Sequence, residues 1–117
     1  MITISLDESY VFDILSIYQV KKIKSPDNPV HFDNFNRLHS EIEAQIGSDK
    51  ISQILSSEEF LNLLKANSET FDLVDEVKKD PCKGRELDEC NYNRYLKKIA
   101  LQEKFFYSSM TEIKIGY

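Results

Sequence analysis

The chain contains no tryptophan, and its 117 residues include only three glycines and three prolines. A many-stranded sandwich with a turn every ten residues needs more turn formers than this, so long helices with few connections fit better. The glycines stand alone at positions 47, 84 and 116, which excludes a glycine-rich phosphate loop. Cysteines and histidines number two each: Cys82, Cys90, His31 and His39. A zinc site built from these residue types alone would need all four. Long apolar runs are absent as well. None approaches the roughly 20 residues of a membrane span, and MITISLDESY lacks the basic and apolar regions of a signal peptide. The expectation is a cytoplasmic protein whose cysteines are reduced thiols.

A basic surplus is missing too. Fifteen Lys and Arg face twenty Asp and Glu, giving a formal net charge of -5. A nucleic-acid backbone binder needs a cationic face to displace counterions, so neither nucleic acid nor membrane is an expected partner. Both signs are interspersed, as on an ordinary solvated surface. The Lys, Asn, Ile and Ser usage suits an AT-rich microbial or viral genome.

Present in quantity are apolar residues, 41% of the chain, including seven Phe and six Tyr. They supply one core, and 117 residues leave no room for a second, so residues 1–117 read as a single helical domain. ITISL alternates Ile2, Ile4 and Leu6 against Thr3 and Ser5, a short strand pattern, and EIKIG repeats it with Ile113 and Ile115. These two segments are expected to pair with each other or with a second molecule. Between them the spacing predicts helices over about 7–24, 32–46, 48–55, 56–79 and 86–107.

The first helix carries Val11, Ile14, Leu15 and Tyr18, with Ser5 and Glu8 at capping-box spacing and Asp7 as a second cap candidate. Pro26 and Pro29 end it. The second carries Phe35, Leu38, Ile42 and Ile46 and stops at Gly47, placed for a left-handed cap, with Ser48 able to cap the third helix. The fourth is capped through Ser56 and Glu59 and carries Phe60, Leu61, Leu64, Phe71, Val74 and Val77. The weak helix formers of ANSET mark a break near Asn67. KDPCKGR is a loop. The fold class is mainly α: a compact bundle of four to five helices with short terminal strands.

Three groups of residues carry candidate chemistry. Glu69 and Asp72, with Asp75 and Glu76 a turn on, precede the loop, and Glu86 and Glu89 lie beyond it. On two antiparallel helices these carboxylates could hold Mg²⁺ or Mn²⁺ through oxygen. All-helical nucleotide pyrophosphohydrolases place Glu-x-x-Glu before Glu-x-x-Asp. Here the order is reversed and Glu58 and Glu59 do not supply the missing pair, so the pattern establishes no family membership. His39 and Glu43 lie one turn apart on the second helix, with His31 and Asp33 upstream. At 100° per residue His39 sits roughly 55° from the apolar stripe, and Glu41 projects from the opposite flank. Surface carboxylates and a lone flanking histidine account for both groups without any metal.

The third group is Tyr92, Tyr95, Phe105, Phe106 and Tyr107, an aromatic run among basic residues of the kind that anchors interfaces. The balance favours a small, soluble, acidic, non-enzymatic protein acting through protein–protein interaction or self-association, with no cofactor. The alternative is a divalent-metal-dependent helical hydrolase of nucleotide-like substrates, its carboxylates on two adjacent helices.

Overall fold

The computed structural model describes residues 1–106 as five helices: α1 Glu8–Lys24, α2 Pro29–Ile46, α3 Ser48–Leu55, α4 Glu58–Lys79 and α5 Gly84–Phe106. A single 3₁₀ turn, Pro81–Lys83, joins α4 to α5. α1, α4 and α5 pack together as the centre of the bundle, α2 lies along α1, and α3 bridges α2 to α4.

The helix boundaries obey local chemistry. Pro26 and the Asn28-capped turn end α1 and begin α2: the Asn28 side chain accepts from the Val30 amide at 3.1 Å, and Pro29 occupies the first helical position, where a missing N–H costs nothing. α2 thus starts three residues earlier than the apolar stripe predicts. Gly47 closes α2 by donating to the Glu43 carbonyl at 2.8 Å and opens α3 by accepting from Ile51. Its φ of 91° with ψ of 158° lies outside the left-handed helical well expected for it, in a region open essentially to glycine alone. Ser48 is then inside α3, and Gly47, not Ser48, is its cap.

α4 is capped by Ser57, whose hydroxyl accepts from the Phe60 amide at 3.1 Å, one residue later than the expected box at Ser56. At α1 the residue at the cap is Asp7, without a side-chain capping bond, so the Ser5–Glu8 box does not form. α4 runs unbroken through ANSET because Asn67 and Thr70 are held there by buried hydrogen bonds, outweighing their weak propensity.

No strand occurs among the described residues. Ile2, Ile4 and Leu6 are exposed, and no neighbouring backbone there completes a ladder. The short N-terminal strand is therefore corrected to irregular chain. The second segment, Ile113 and Ile115, lies outside the described residues.

The apolar core gathers Phe12 and Leu15 of α1, Ile42 of α2, Ile51 and Ile54 of α3, Phe60 and Leu63 of α4, and Leu101 and Phe105 of α5. Phe12 meets the edge of Phe60 at a centroid distance of 6.4 Å and lies 6.2 Å from Phe106. Phe35, Leu38 and Ile46 pack on this cluster as their spacing predicts. The buried faces of α1 and α4 are rotated from the predicted stripes. α1 buries Ser9, Asp13 and Ser16 beside Phe12 and Leu15, and α4 buries Leu63, Asn67, Thr70 and Leu73 while leaving Leu61 and Val74 exposed.

Candidate functional site

Where α1, α4 and α5 meet, the core turns polar. Asp13, only 5% exposed, stands at the centre. One carboxylate oxygen accepts from the Asn67 amide at 2.9 Å and the other from an Arg94 Nη at 3.2 Å. Asn67 also donates to the Ser16 hydroxyl, which in turn donates to the Asp13 carbonyl at 2.7 Å. Asp13 only accepts, so the amide nitrogen of Asn67 must face it, and the Asn67 Oδ1 is turned elsewhere. The other Arg94 Nη donates to Asn91 Oδ1 at 3.1 Å. A second buried polar link lies toward the start of α1, where Gln102 accepts from the Ser9 amide at 2.9 Å and donates to Glu8 at 2.7 Å.

The first of these networks floors an open cleft of about 390 Å³. Ile17 and Val20 of α1 form one wall, Phe71 and Val74 of α4 the other, and Asn67, Thr70 and Arg94 line its base, with Asp75 and Lys78 at the mouth. Asp75 and Lys78 stand 3.9 Å apart, an exposed pair of little energetic weight. Most of the floor's hydrogen-bonding capacity is consumed internally. Thr70 donates to the Ala66 carbonyl at 2.8 Å. One group is left over: the Arg94 Nε–H is buried without an acceptor. An orphaned buried donor is costly, on the order of 1–3 kcal/mol.

The candidates read from the sequence lie elsewhere. Asp72 is engaged by Lys24 of α1 at 3.0 Å. Glu69 sits on a smaller polar groove between α4 and α5 with Asn62, Lys65, Asn93 and Lys97. Glu86 and Glu89 are exposed in the opening turns of α5. His39 is half-buried, stacking obliquely on Phe35 at 6.0 Å, while Glu43 is exposed and forms no bond with it. His31 lies in the first turn of α2 with a buried, unpartnered Nδ1, and Asp33 is exposed. Among the described residues, no three His, Cys, Asp or Glu side chains gather as a metal-binding group. No described helix is long and apolar enough to cross a membrane.

The aromatic run divides. Phe105 is in the core, Phe106 packs against Phe12 beneath the Lys50 ammonium, Tyr95 is half-buried, and Tyr92 is exposed beside it. Tyr107 lies outside the described residues. Two ionisable groups near the 3₁₀ turn depart from their ordinary behaviour. A hydrogen bond and the charge of Glu76 hold the Lys83 ammonium above its usual range. Burial, helped by Glu69, Glu86 and Glu89, pushes the Cys90 thiol up and makes it a poor nucleophile.

Sequence reading missed Asp13, Asn67, Thr70 and Arg94. The available signal was the spacing of Ser9, Asp13 and Ser16 on α1 and of Asn67 and Thr70 on α4, polar residues at helical steps of three and four that share one face. Compared with known families, curated proteins and solved structures, the chain matches none of them.

Proposed function

We propose that this protein works by binding, as a non-enzymatic partner in protein–protein interaction, and that the α1/α4/α5 cleft is its recognition element. The observation that carries the reading is a preformed apolar cleft seated on a rigid, internally bonded polar floor. Apolar walls with a few fixed polar groups are what an anchoring side chain of a partner requires. The chemistry of the floor suits recognition better than reaction. Both Nη groups of Arg94 and both oxygens of Asp13 are occupied within the floor, so neither residue is placed to move a proton. The hydrolase alternative has no comparable support, since Asp72 is spent on Lys24 and Glu76 on Lys83.

The exposed Tyr92 and Leu96 of α5 form a rival surface on the same protein. Photo-crosslinking separates the two. A photoreactive residue at Val74, on the cleft wall, is expected to give a discrete protein adduct in cells that express the protein natively, and one at Leu96 is not. Adducts from position 96 alone would move the interaction to α5, and none from either would overturn the reading. The mass of the adduct tells a second copy from another protein.

A further inference from the structure

We infer that a second open groove, between α1, α2 and the end of α5, is the seat of the chain's own C-terminal segment, with Ile113 and Ile115 filling it. The inference stands independently of the reading of the α1/α4/α5 cleft. It accounts for a groove that is larger than that cleft and yet is not the one left for a partner.

The groove measures about 480 Å³, against about 390 Å³ for the recognition cleft. Its lining is mainly apolar: Leu6 just before α1, Val11 and Phe12 of α1, Ile42 and Ile46 of α2, and Phe106 of α5. Phe12 and Ile42 are buried at its base, whereas Val11, Ile46 and Phe106 are half-buried and Leu6 is exposed. An apolar face is thus left against water, and covering it is favourable in proportion to its area.

Three observations name the occupant. The first is where the chain goes. α5 is described as far as Phe106, which itself lines the groove, so residues 107–117 leave from its rim. Ile113 comes seven residues later, a reach of up to about 23 Å and ample for doubling back. A tether this short holds the segment at an effective concentration on the order of millimolar, so weak contacts suffice and any external ligand has to compete.

The second observation is composition. Tyr107, Met110, Ile113, Ile115 and Tyr117 are apolar or aromatic, and Glu112 and Lys114 are the only charged side chains of the segment. A tail suited to water is rich in charge and poor in such residues. In an extended run Ile113 and Ile115 share one side, so both enter the groove together while the two charges stay at its rim.

The third observation is charge. The rim holds one anion, Glu8, and one cation, Lys50, and the segment brings one of each. The Lys50 ammonium lies 4.7 Å from the centre of the Phe106 ring and pairs with no carboxylate among the described residues. Glu112, adjacent to Ile113, supplies one. A ligand of a single sign would instead meet one like charge at the same rim.

Photo-crosslinking in the purified full-length protein tests the inference. A photoreactive residue at Gln45, exposed at the groove edge, is expected to join residues 110–117 of its own chain, in a product of monomer mass. Ile113→Ser and Ile115→Ser together are expected to cut the yield at least tenfold. The same pair is expected to shift the methyl resonances of Val11 and Ile46 and to leave those of Ile54 and Leu63, in the core, in place. An adduct of dimer mass overturns the inference, since the occupant is then a second copy, as does an adduct to residues 1–5 or none at all. Equal crosslinking by the serine variant overturns it as well, because the segment is then near the groove only through its tether. So does a loss of helical signal in that variant, since a segment seated on a completed core is not what holds the five helices together.

Discussion

Two stretches of α4, one turn apart, are built from opposite materials. Phe60 and Leu63 enter an apolar core shared with Phe12, Leu15, Ile54 and Leu101, while Asn67 and Thr70 enter a polar seam with Asp13, Ser16 and Arg94. The apolar end is stabilised by area removed from water and tolerates many volume-conserving sequences. The seam is different in kind. Asp13, Ser16, Asn67 and Arg94 are stable only as a set, because each answers a group on another helix, while Thr70 bonds the Ala66 carbonyl of its own helix; a seam of this type fixes register among helices at a cost in raw stability.

The largest effect expected from breaking that contrast is at Asp13. Asp13→Ala leaves Arg94 and Asn67 without their central acceptor, and breaking a buried pair in this way costs about 3–5 kcal/mol, measurable as a lowered midpoint in urea. The complementary experiment removes the whole set. Asp13→Leu, Asn67→Leu and Arg94→Met together are expected to restore wild-type stability or exceed it by about 1–4 kcal/mol. A triple variant as unstable as Asp13→Ala would show that the seam is not replaceable by packing and that the contrast has been drawn in the wrong place.

Leu63→Ala tests the apolar side. Leu63 is fully buried, and its truncation is expected to cost about 2–5 kcal/mol through lost transfer energy and a residual cavity. Unlike the seam, the site offers no compensating partner: Leu63→Met is expected to recover most of the loss, below about 1.5 kcal/mol, by filling the same volume. If Leu63→Met were as costly as Leu63→Ala, the core would depend on exact shape and the distinction from the seam would weaken.

The same contrast explains what could be read from the sequence. α2 was legible because its buried face is apolar throughout, and Phe35, Leu38, Ile42 and Ile46 mark it in full. The helix ends were legible within one to three residues because proline, glycine and capping side chains act locally. α1 and α4 were misoriented for one reason. A stripe drawn through apolar residues alone passes over Asp13, Ser16, Asn67 and Thr70 and lands on Leu61 and Val74, which are exposed. The candidate site was hidden by the same rule, since its polar residues become intelligible only in pairs from different helices. Asp13 and Arg94 are 81 residues apart, and nothing local in either helix announces the other.

Gly47 marks a point where the fold depends on backbone and not on either kind of packing. A Cβ there would meet nothing within 4 Å, so space is no obstacle. The φ of 91° is the obstacle, and Gly47→Ala is expected to cost about 1 kcal/mol or slightly more, with α3 loosening from α2. Thermal unfolding would register it. A neutral result would mean that the turn relaxes without disturbing Ile51 and Ile54, the two α3 residues in the core.

The smallest expected effect sharpens the comparison from outside. Lys83 and Glu76 form an ion pair at 3.2 Å near the 3₁₀ turn, exposed where Asp13 is buried and Arg94 half-buried. Glu76 raises the Lys83 ammonium above its ordinary 10.5 by hydrogen bond first and charge second. A raised folded-state value means that the native protein holds this proton more tightly than the unfolded chain. The pair's contribution is therefore fully present below pH 10.5, and it is lost as pH rises past 10.5 and through the folded-state value. Solvent and salt screen a pair so exposed, so Glu76→Gln is expected to leave the neutral-pH midpoint nearly unchanged and only to flatten the alkaline end of the stability curve. The measurement is urea unfolding at about pH 7 and again above pH 10.5, in low and high salt. A loss at neutral pH rivalling that of Asp13→Ala would mean that burial is not what separates the two pairs.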